Sequence, residues 1–241
     1  MDQKISVILP VYNESRFIGE IFEEVREFSV QNPNFDFIFI DDGSTDSTKM
    51  ILSELVKGVD RVRLISYSSN NGKGFAVRKG VENSSGEFVC FTDGDLAYSL
   101  DYLKVFSKKL LDSDVVIGWR APFSENLENT KSIRKLAGKV FNFFSRLILE
   151  LDFPDMQAGI KGFRRGAADY LFSKQKINGW SFDTEIMFLA KRRNYFISQV
   201  PVKVSDSNLK IKSQVHLFRD SLKMFGSLLK IRFNYFLGKY G

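Results

Sequence analysis

A regular alternation of short apolar runs with helical patterns is the feature that most constrains the fold. Runs rich in Val, Ile and Phe predict strands, and the stretches between them carry apolar residues at the spacing of an amphipathic helix. Strands that alternate with helices pair in parallel, because parallel neighbours need a crossover connection. The pattern predicts an α/β protein with a mostly parallel sheet and helices on both faces. The predicted strands cover residues 5–9, 35–40, 62–67, 88–91, 115–118, 160–163 and 196–204.

The composition supports one large domain with a basic appendage. With 241 residues, of which 44% are hydrophobic, the chain can bury a sizeable core. From Ser207 to Gly241 there are seven Lys and Arg residues against one Asp, and this excess equals the net charge of +6. We predict a main domain over residues 1–206 and a basic amphipathic segment over residues 207–241. A buried Cys90, the lack of a signal-peptide pattern and uncharged runs of at most nine residues favour a cytoplasmic protein without a membrane span.

Polar turns follow three of the predicted strands. They are Pro10-Val-Tyr-Asn-Glu14, Asp41-Asp-Gly-Ser-Thr-Asp46 and Asp93-Gly-Asp95. Taken alone, each is an ordinary turn or helix cap, and the first lacks the glycine pattern of a dinucleotide-binding loop. Ligands of such sheets sit at the carboxyl ends of the strands. Three polar turns at one edge therefore predict a binding site there.

Asp93 and Asp95 bring two like charges together at a strand end. A hard divalent cation prefers carboxylate oxygens and commonly shares them with substrate phosphates. The pair therefore predicts a Mg²⁺ or Mn²⁺ site. The alternative is that Asp95 caps the next helix while Asp93 is solvated. Asn71-Gly-Lys-Gly74 adds a lysine in a glycine-flanked turn, which suits an anion.

In their order along the chain, these motifs resemble glycosyltransferase family 2, inverting enzymes of GT-A fold that use nucleotide sugars. Further motifs are similar to its branch of dolichyl-phosphate glucosyltransferases and mannose synthases: Asp114-Val-Val-Ile-Gly-Trp-Arg120, Asp155-Met-Gln-Ala-Gly-Ile-Lys161, Gly179-Trp-Ser-Phe-Asp-Thr-Glu185 and Val200-Pro-Val202. The resemblance implies a metal that neutralises the diphosphate leaving group, held by Asp93 and Asp95. It also implies residues that bind the nucleotide sugar: Pro10, Tyr12, Glu14, Asp42, Lys73 and Asp93.

The branch further implies a polyprenyl phosphate acceptor, whose phosphate would meet Arg120 and Arg134. For Arg120 the alternative is a surface salt bridge. A phosphate monoester is already an oxyanion at neutral pH, so it needs a general base less than a hydroxyl does. The resemblance places Asp155 and Asp183 beside the reaction centre, with Asp155 favoured as base or sugar-orienting residue. The catalytic candidates are Asp155, Asp183 and Asp95. Asp183 and Glu185 could instead hold sugar hydroxyls or stabilise the structure.

Two departures from the family pattern bear on the donor sugar. Ala97 stands where mannose synthases of the branch often have glutamine, which favours UDP-glucose over GDP-mannose as donor. Gly94 replaces the commoner alanine, and we expect little consequence. The only histidine, His216, is expected to be a surface or packed side chain rather than a metal ligand.

Two basic segments, residues 129–149 and the tail, carry Phe and Leu at helical spacing beside Lys and Arg. Such helices can lie in the interface of an anionic membrane. The alternative is that the apolar faces pack on the core or form a subunit contact, and the oligomeric state stays open. The sequence contains no recognised nucleic-acid-binding motif. The sequence predicts a peripheral membrane enzyme that moves a hexose to a polyprenyl or dolichyl phosphate. The rivals are a family member with a hydroxyl acceptor and an inactive GT-A-like binding module.

Overall fold

The computed structural model of the chain describes residues 3–120, 143–153, 155–205 and 217–241, the first eight residues of the last range as backbone only. Its described part contains a seven-stranded sheet in the order β3-β2-β1-β4-β6-β5-β7. The strands are β1 (Ile5–Val11), β2 (Phe35–Asp41), β3 (Val62–Ser66), β4 (Phe88–Phe91), β5 (Val115–Arg120), β6 (Lys161–Arg164) and β7 (Ile197–Val202). All seven predicted strands are confirmed, with ends within two residues of the prediction.

Helices cover both faces of the sheet, as predicted. They are α1 (Ile18–Gln31), α2 (Thr48–Leu55), α3 (Lys73–Glu82), α4 (Asp101–Lys109), α5 (Arg165–Lys174), α6 (Phe182–Arg192) and α7 (Leu217–Phe236), and residues 143–149 are also helical. One face packs against α1, α2 and α4, and the other against α3, α5, α6 and α7. Side chains of a strand alternate between faces. In β1, accordingly, Val7 and Leu9 belong to the first core and Ile8 to the second.

The direction of β6 decides which segments meet at the functional edge. Strand β6 runs antiparallel to both of its neighbours, whereas all other pairs are parallel. In register, Lys161 at its start lies opposite Phe91 at the end of β4. The segment that leads into β6, from Asp155 onward, therefore reaches the edge where the parallel strands end.

The C-terminal helix adds to this core. In α7, Leu228 and Ile231 are fully buried in the cluster that also holds α6, so one side of the helix packs on the main domain. The predicted boundary near Asp206 lies outside the described residues, and the division into two segments stays a prediction. No helix in the described residues is long and apolar enough to span a bilayer. Cys90 is buried in β4, as expected.

Candidate active site

Hydrogen bonds between backbone N–H groups and side chains join the turn after β1 to the turn after β2. Asn13 adopts a φ of 56°, and its backbone N–H donates to Ser44 Oγ at 2.9 Å. In return, the Thr45 N–H donates to Asn13 Oδ1 at 2.8 Å. The Glu14 N–H donates to Thr48 Oγ1, also at 2.8 Å. These contacts fix the backbone that carries Tyr12 and Glu14 at the predicted site.

The Glu14 carboxyl keeps its proton up to a higher pH than an ordinary glutamate does. Its pKa is raised to about 7, first by burial and then by the negative charges of Asp95 and Asp46. Because the charge of Asp95 acts on Glu14, the turns after β1 and β4 belong to one electrostatic site. This fits the predicted role of Glu14 beside a nucleotide, which stays a prediction.

Asp42 holds the turn that precedes α3. Its Oδ1 accepts hydrogen bonds from the Tyr67 hydroxyl at 2.7 Å and the Asn71 N–H at 2.9 Å, and its Oδ2 accepts one from the Gly72 N–H at 2.8 Å. Both carboxylate oxygens of Asp42 thus have protein partners. Its direct effect is to place the glycine-flanked Lys73 at the edge, and its contact with a nucleotide remains a prediction.

Lys73 and Asp93 form an ion pair at the centre of the edge. The Lys73 ammonium lies 2.5 Å from Asp93 Oδ1, and its side chain is only 11% exposed. Burial lowers the pKa of Lys73, but the carboxylates of Asp93 and Asp183 outweigh it, and the pKa is raised overall. Lys73 is therefore a permanent cation next to the predicted metal carboxylates.

The alternative role of Asp95 as a helix cap is not observed. Helix α4 begins at Asp101 without a side-chain cap, and Asp95 Oδ1 accepts from the Ala97 N–H at 3.0 Å within its own turn. Burial raises the pKa of Asp95, and the neighbouring charge of Asp93 raises it further. A cation between the two carboxylates would remove this repulsion.

Two glycines allow backbone to approach this pair closely. A Cβ at Gly94 would lie 2.2 Å from Pro10 O, so the expectation that Gly94 matters little is wrong. A Cβ at Gly159 would lie 1.8 Å from Asp93 Oδ2, because the segment before β6 passes directly over that carboxylate. A side chain at position 94 would push the turn away from β1, and one at position 159 would displace the Asp93 carboxylate.

The residues present fit a divalent metal that is shared with a substrate. Among the described residues, no group of three or more His, Cys, Asp and Glu side chains could enclose a metal ion alone. Two carboxylates that repel each other, Asp93 and Asp95, with further oxygens from a diphosphate, are the ligand set that Mg²⁺ uses in such sites. The metal site remains a prediction for this chain.

Arg120 and Asp155 form a two-pronged salt bridge. Arg120 Nε donates to Asp155 Oδ2 at 2.6 Å and Nη2 donates to Oδ1 at 3.0 Å. The backbone N–H of Gln157 donates to Oδ1 as well. Burial raises the pKa of Asp155, but the hydrogen bonds and charge of Arg120 outweigh it, and the pKa is lowered overall.

Arg120 therefore adopts the salt bridge given as its alternative, but with a buried partner rather than a surface one. Its side chain is still 49% exposed, so it remains accessible from solvent. Asp155 is a stable anion and a weak proton acceptor. Arg134, the other predicted acceptor cation, lies outside the described residues.

Asp183 is also held in an ion pair. The fully buried Lys161 ammonium lies 2.7 Å from Asp183 Oδ1 and donates to Ala158 O at 2.8 Å. Asp183 is 5% exposed, and its charge is balanced by this ion pair although Oδ1 accepts no hydrogen bond of good geometry. Sequence reasoning gave Lys161 no role. Its signal was a lysine at the start of an otherwise apolar predicted strand.

Glu185 has a structural set of partners. It is fully buried and accepts hydrogen bonds from the backbone N–H groups of Lys176 and Ile177 and from the Tyr240 hydroxyl. Of the alternatives given for Glu185, the structural one matches these contacts. Tyr98, which sequence reasoning did not name, is buried beside Arg120 and Asp93; burial, the largest cause, raises its pKa to about 12.

The sequence of the chain is similar to those of known proteins. The model of a family described as "Glycosyl transferase family 2" matches residues 6–172. A dolichyl-phosphate beta-glucosyltransferase of Drosophila melanogaster is 31% identical over an alignment that covers 98% of this chain and 77% of that protein. One of Dictyostelium discoideum is 30% identical, over 97% of this chain and 75% of that protein.

Solved structures share the fold. Glucosyl-3-phosphoglycerate synthase from Mycobacterium tuberculosis, in complex with Mn²⁺, UDP and glucosyl-3-phosphoglycerate, matches with a TM-score of 0.69 and 18% identity, over 95% of this chain and 80% of that chain. The same enzyme with Mg²⁺ and UDP matches with a TM-score of 0.67 and 19% identity, over 95% and 79% of the two chains.

Proposed function

This chain belongs to glycosyl transferase family 2, and on that premise we propose that it moves glucose from UDP-glucose to a polyprenyl or dolichyl phosphate at the cytoplasmic face of a membrane. The family and the GT-A type of fold predicted from the sequence are confirmed, and the chain is a glycosyltransferase. The observation that carries the choice of acceptor is that Asp155 and Asp183 are both ion-paired. Relatives named dolichyl-phosphate beta-glucosyltransferase support the same choice.

The donor half of the site lies around the end of β4. Asp93 and Asp95 would hold Mg²⁺ or Mn²⁺ on the diphosphate, where the metal supplies Lewis-acid stabilisation of the leaving group. The Lys73 ammonium holds Asp93 in place and adds positive charge beside the diphosphate. The turn that carries Pro10, Tyr12 and Glu14 offers the nucleotide side of the site, and Asp42 orients the Lys73 turn against it.

The acceptor half needs a cation rather than a base. An ionised phosphate oxygen of the acceptor attacks C1 of glucose on the face opposite UDP. The new C1–O bond forms as the bond from C1 to the diphosphate oxygen breaks, which inverts an α-linked donor to a β-linked product. Arg120, and Arg134 by prediction, would bind the acceptor phosphate, while Asp155 fixes the direction of the Arg120 guanidinium. No proton has to leave the acceptor, so the ion-paired Asp155 and Asp183 suit this reaction.

An exposed apolar surface offers the route to a lipid. Helix α7 is buried on one side, but Leu229, Phe233 and Phe236 on other sides are 51–70% exposed. Residues 143–149 add Phe143 and Leu147, which are also exposed, and Phe144 packs on Phe225 at 4.9 Å between ring centres. Packing on the core thus accounts for only one side of α7. We place the exposed side in the membrane interface, beside Lys230 and Arg232.

A phase-partition assay tests this function. The protein is incubated with Mg²⁺ or Mn²⁺, polyprenyl phosphate in vesicles and each labelled nucleotide sugar in turn. UDP-glucose is expected to carry label into the organic phase, and label from GDP-mannose instead would correct the donor. If no donor carries label into the organic phase, the proposal of a lipid acceptor is wrong. Vesicle flotation that is weakened by Phe233→Asp but not by Phe196→Asp, an equally exposed aromatic elsewhere, tests the membrane surface.

A further inference from the structure

We propose that Trp180 is the surface on which the transferred hexose packs, an inference that rests on the proposed function. Trp180 lies just before α6, and its side chain is 49% exposed. Two residues later, Phe182 is fully buried, with its ring 5.5 Å from that of Phe91. One short segment thus holds one aromatic side chain in the core and presents another at the edge of the site.

The segment before Trp180 is fixed against the turn that carries Lys73. The Phe75 N–H donates to Asn178 O at 3.1 Å, and the Gln175 side chain donates to Gly74 O at 2.9 Å. A Cβ at Gly72 would lie 2.7 Å from Asn178 O and 3.3 Å from the Cα of Gly179. Backbone packed this closely fixes the segment that carries Trp180 relative to the Lys73 turn.

The indole lies on the donor side of the carboxylate pair. The Lys73 ammonium is 5.5 Å from the Trp180 ring centre and 2.5 Å from Asp93 Oδ1. One cation therefore separates the ring from the carboxylate that we place on the diphosphate. The hexose is bonded directly to that diphosphate, so it has to lie within the immediate surroundings of this group.

The chemistry of a pyranose matches this surface. Its ring faces present C–H groups, while its hydroxyls point outward, so an aromatic face can cover the C–H groups without removing the hydroxyls from polar partners. Ligand sites commonly combine such aromatic walls with a few polar groups. Here the polar groups are Lys73 and the carboxylates that surround it.

A hexose fits the position of Trp180 better than the lipid chain of the acceptor does. Helix α3, which carries Lys73, packs over β1 and β2 on one side of β4. Arg120 ends β5, which is separated from β4 by β6 on the other side. Helix α3, whose Lys73 contacts the Trp180 ring, and the proposed acceptor cation thus lie on different sides of β4.

Tryptophan fluorescence tests this directly, because the chain has only two tryptophans. A Trp119→Phe variant leaves Trp180 as the sole tryptophan, which is excited selectively at long wavelength. It is titrated with UDP-glucose and with UDP, each with Mg²⁺ and without an acceptor. We expect a saturable change in emission with UDP-glucose that UDP does not reproduce. The same emission change with both ligands, or none with UDP-glucose while calorimetry shows binding, would overturn the proposal.

Calorimetry on Trp180 variants adds an independent readout. Trp180→Ala is expected to weaken UDP-glucose binding about tenfold and UDP binding less than about twofold, with Trp180→Phe in between, because only the hexose loses its aromatic contact. Phe196→Ala, a matched exposed aromatic away from the site, should change neither affinity. Equal losses for both ligands, or no loss for either, would contradict the proposal.

The acceptor provides the last distinction. A raised KM for polyprenyl phosphate in Trp180→Ala, with unchanged UDP-glucose affinity, would assign Trp180 to the lipid and overturn the hexose contact. Because the binding measurements contain no acceptor, they stand apart from the proposed function. A wild-type protein that binds UDP-glucose through Trp180 but does not glucosylate the lipid would refute only the acceptor. A wild-type protein that binds no nucleotide sugar would refute both.

Discussion

Arg120 holds the carboxylate of Asp155 through two side-chain hydrogen bonds, from Nε at 2.6 Å and from Nη2 at 3.0 Å. Geometry of this kind favours the ionised carboxylate, and it agrees with the lowered pKa of Asp155. The charge of Asp183 is likewise compensated, by the ammonium of Lys161. Asp155, the carboxylate favoured as base, is therefore a weak proton acceptor, and the charge of Asp183 is balanced by a buried lysine. An acceptor that brings its own negative charge is the natural partner of this site.

Asp155→Asn is expected to lower the transfer rate through a misplaced Arg120 and not through a lost base. The variant should lose about tenfold in kcat/KM for polyprenyl phosphate, whereas loss of a general base costs about a hundredfold or more. Its pH–rate profile should keep the shape of the wild-type profile, because Asp155 is ionised throughout that range. Steady-state kinetics from pH 6 to 9 give this comparison.

The matched control is Arg120→Gln, alone and with Asp155→Asn. Residues that act as one unit are not additive. The double variant should therefore lose no more than about twice what the worse single variant loses. Additive losses, or the disappearance of an ionisation from the pH–rate profile of Asp155→Asn, would restore Asp155 as the base.

Asp95→Asn should stabilise the ligand-free protein while it removes metal-dependent nucleotide binding. Burial and the charge of Asp93 raise the pKa of Asp95, so removal of its charge relieves the cost of burying a carboxylate and the repulsion by Asp93. Thermal unfolding gives both results in one experiment. Mg²⁺ with UDP should raise the melting temperature of the wild type and leave that of Asp95→Asn unchanged. An equal rise in both would show that Asp95 does not contribute to the metal site.

Gly94→Ala should damage the site although it adds only a methyl group. The new Cβ would lie 2.2 Å from Pro10 O and 2.7 Å from Val11 Cγ1, so the turn after β4 has to move. Overpacking of this kind costs about 1–3 kcal/mol, and UDP affinity should fall with it. Gly166→Ala is the control, because nothing lies within 4 Å of its added Cβ. Urea unfolding and calorimetry that show no difference between the two variants would contradict the prediction.

Glu14 predicts a pH dependence of stability. Its pKa in the folded protein, about 7, exceeds its ordinary value of 4.5, so the folded state binds the proton more tightly than the unfolded state does. The stabilisation this gives is complete below about pH 4.5 and is lost as the pH rises to about 7. Glu14→Gln should therefore gain stability relative to the wild type across that range, by about 1 kcal/mol after allowance for solvent screening.

Urea unfolding at pH 5 and pH 8 without metal measures this gain. Glu20→Gln, on the exposed side of α1, is the control and should show no such pH-dependent gain. A constant difference between Glu14→Gln and the wild type at both pH values would place the pKa of Glu14 outside this range.

The fold and the location of the site could be predicted because they depend on local patterns. Most strands lie on short runs rich in Val, Ile and Phe, and the polar turns after β1, β2 and β4 meet because parallel strands end at one edge. The pairing of Lys73 with Asp93 follows the same logic, since a lysine in a glycine-flanked turn and a carboxylate turn lie at that edge.

The partners of the candidate bases could not be predicted because they depend on strand direction. Asp155 and Lys161 reach the functional edge only because β6 runs antiparallel to its neighbours, which an apolar run does not indicate. The need for glycine at position 94 has a similar origin. It arises from the approach of the turn after β4 to Pro10 O, a contact between segments about eighty residues apart.

The most direct test compares polyprenyl phosphate with the corresponding polyprenol as acceptor, under identical conditions with labelled UDP-glucose and Mg²⁺. With Asp155 and Asp183 both ion-paired, we expect label transfer to the phosphate and at least about a hundredfold slower transfer to the alcohol, which must lose a proton to react. Transfer to polyprenol at a rate similar to that of the phosphate would contradict this expectation. Such a rate would require a general base, a role that the ion-paired Asp155 and Asp183 are not expected to fill.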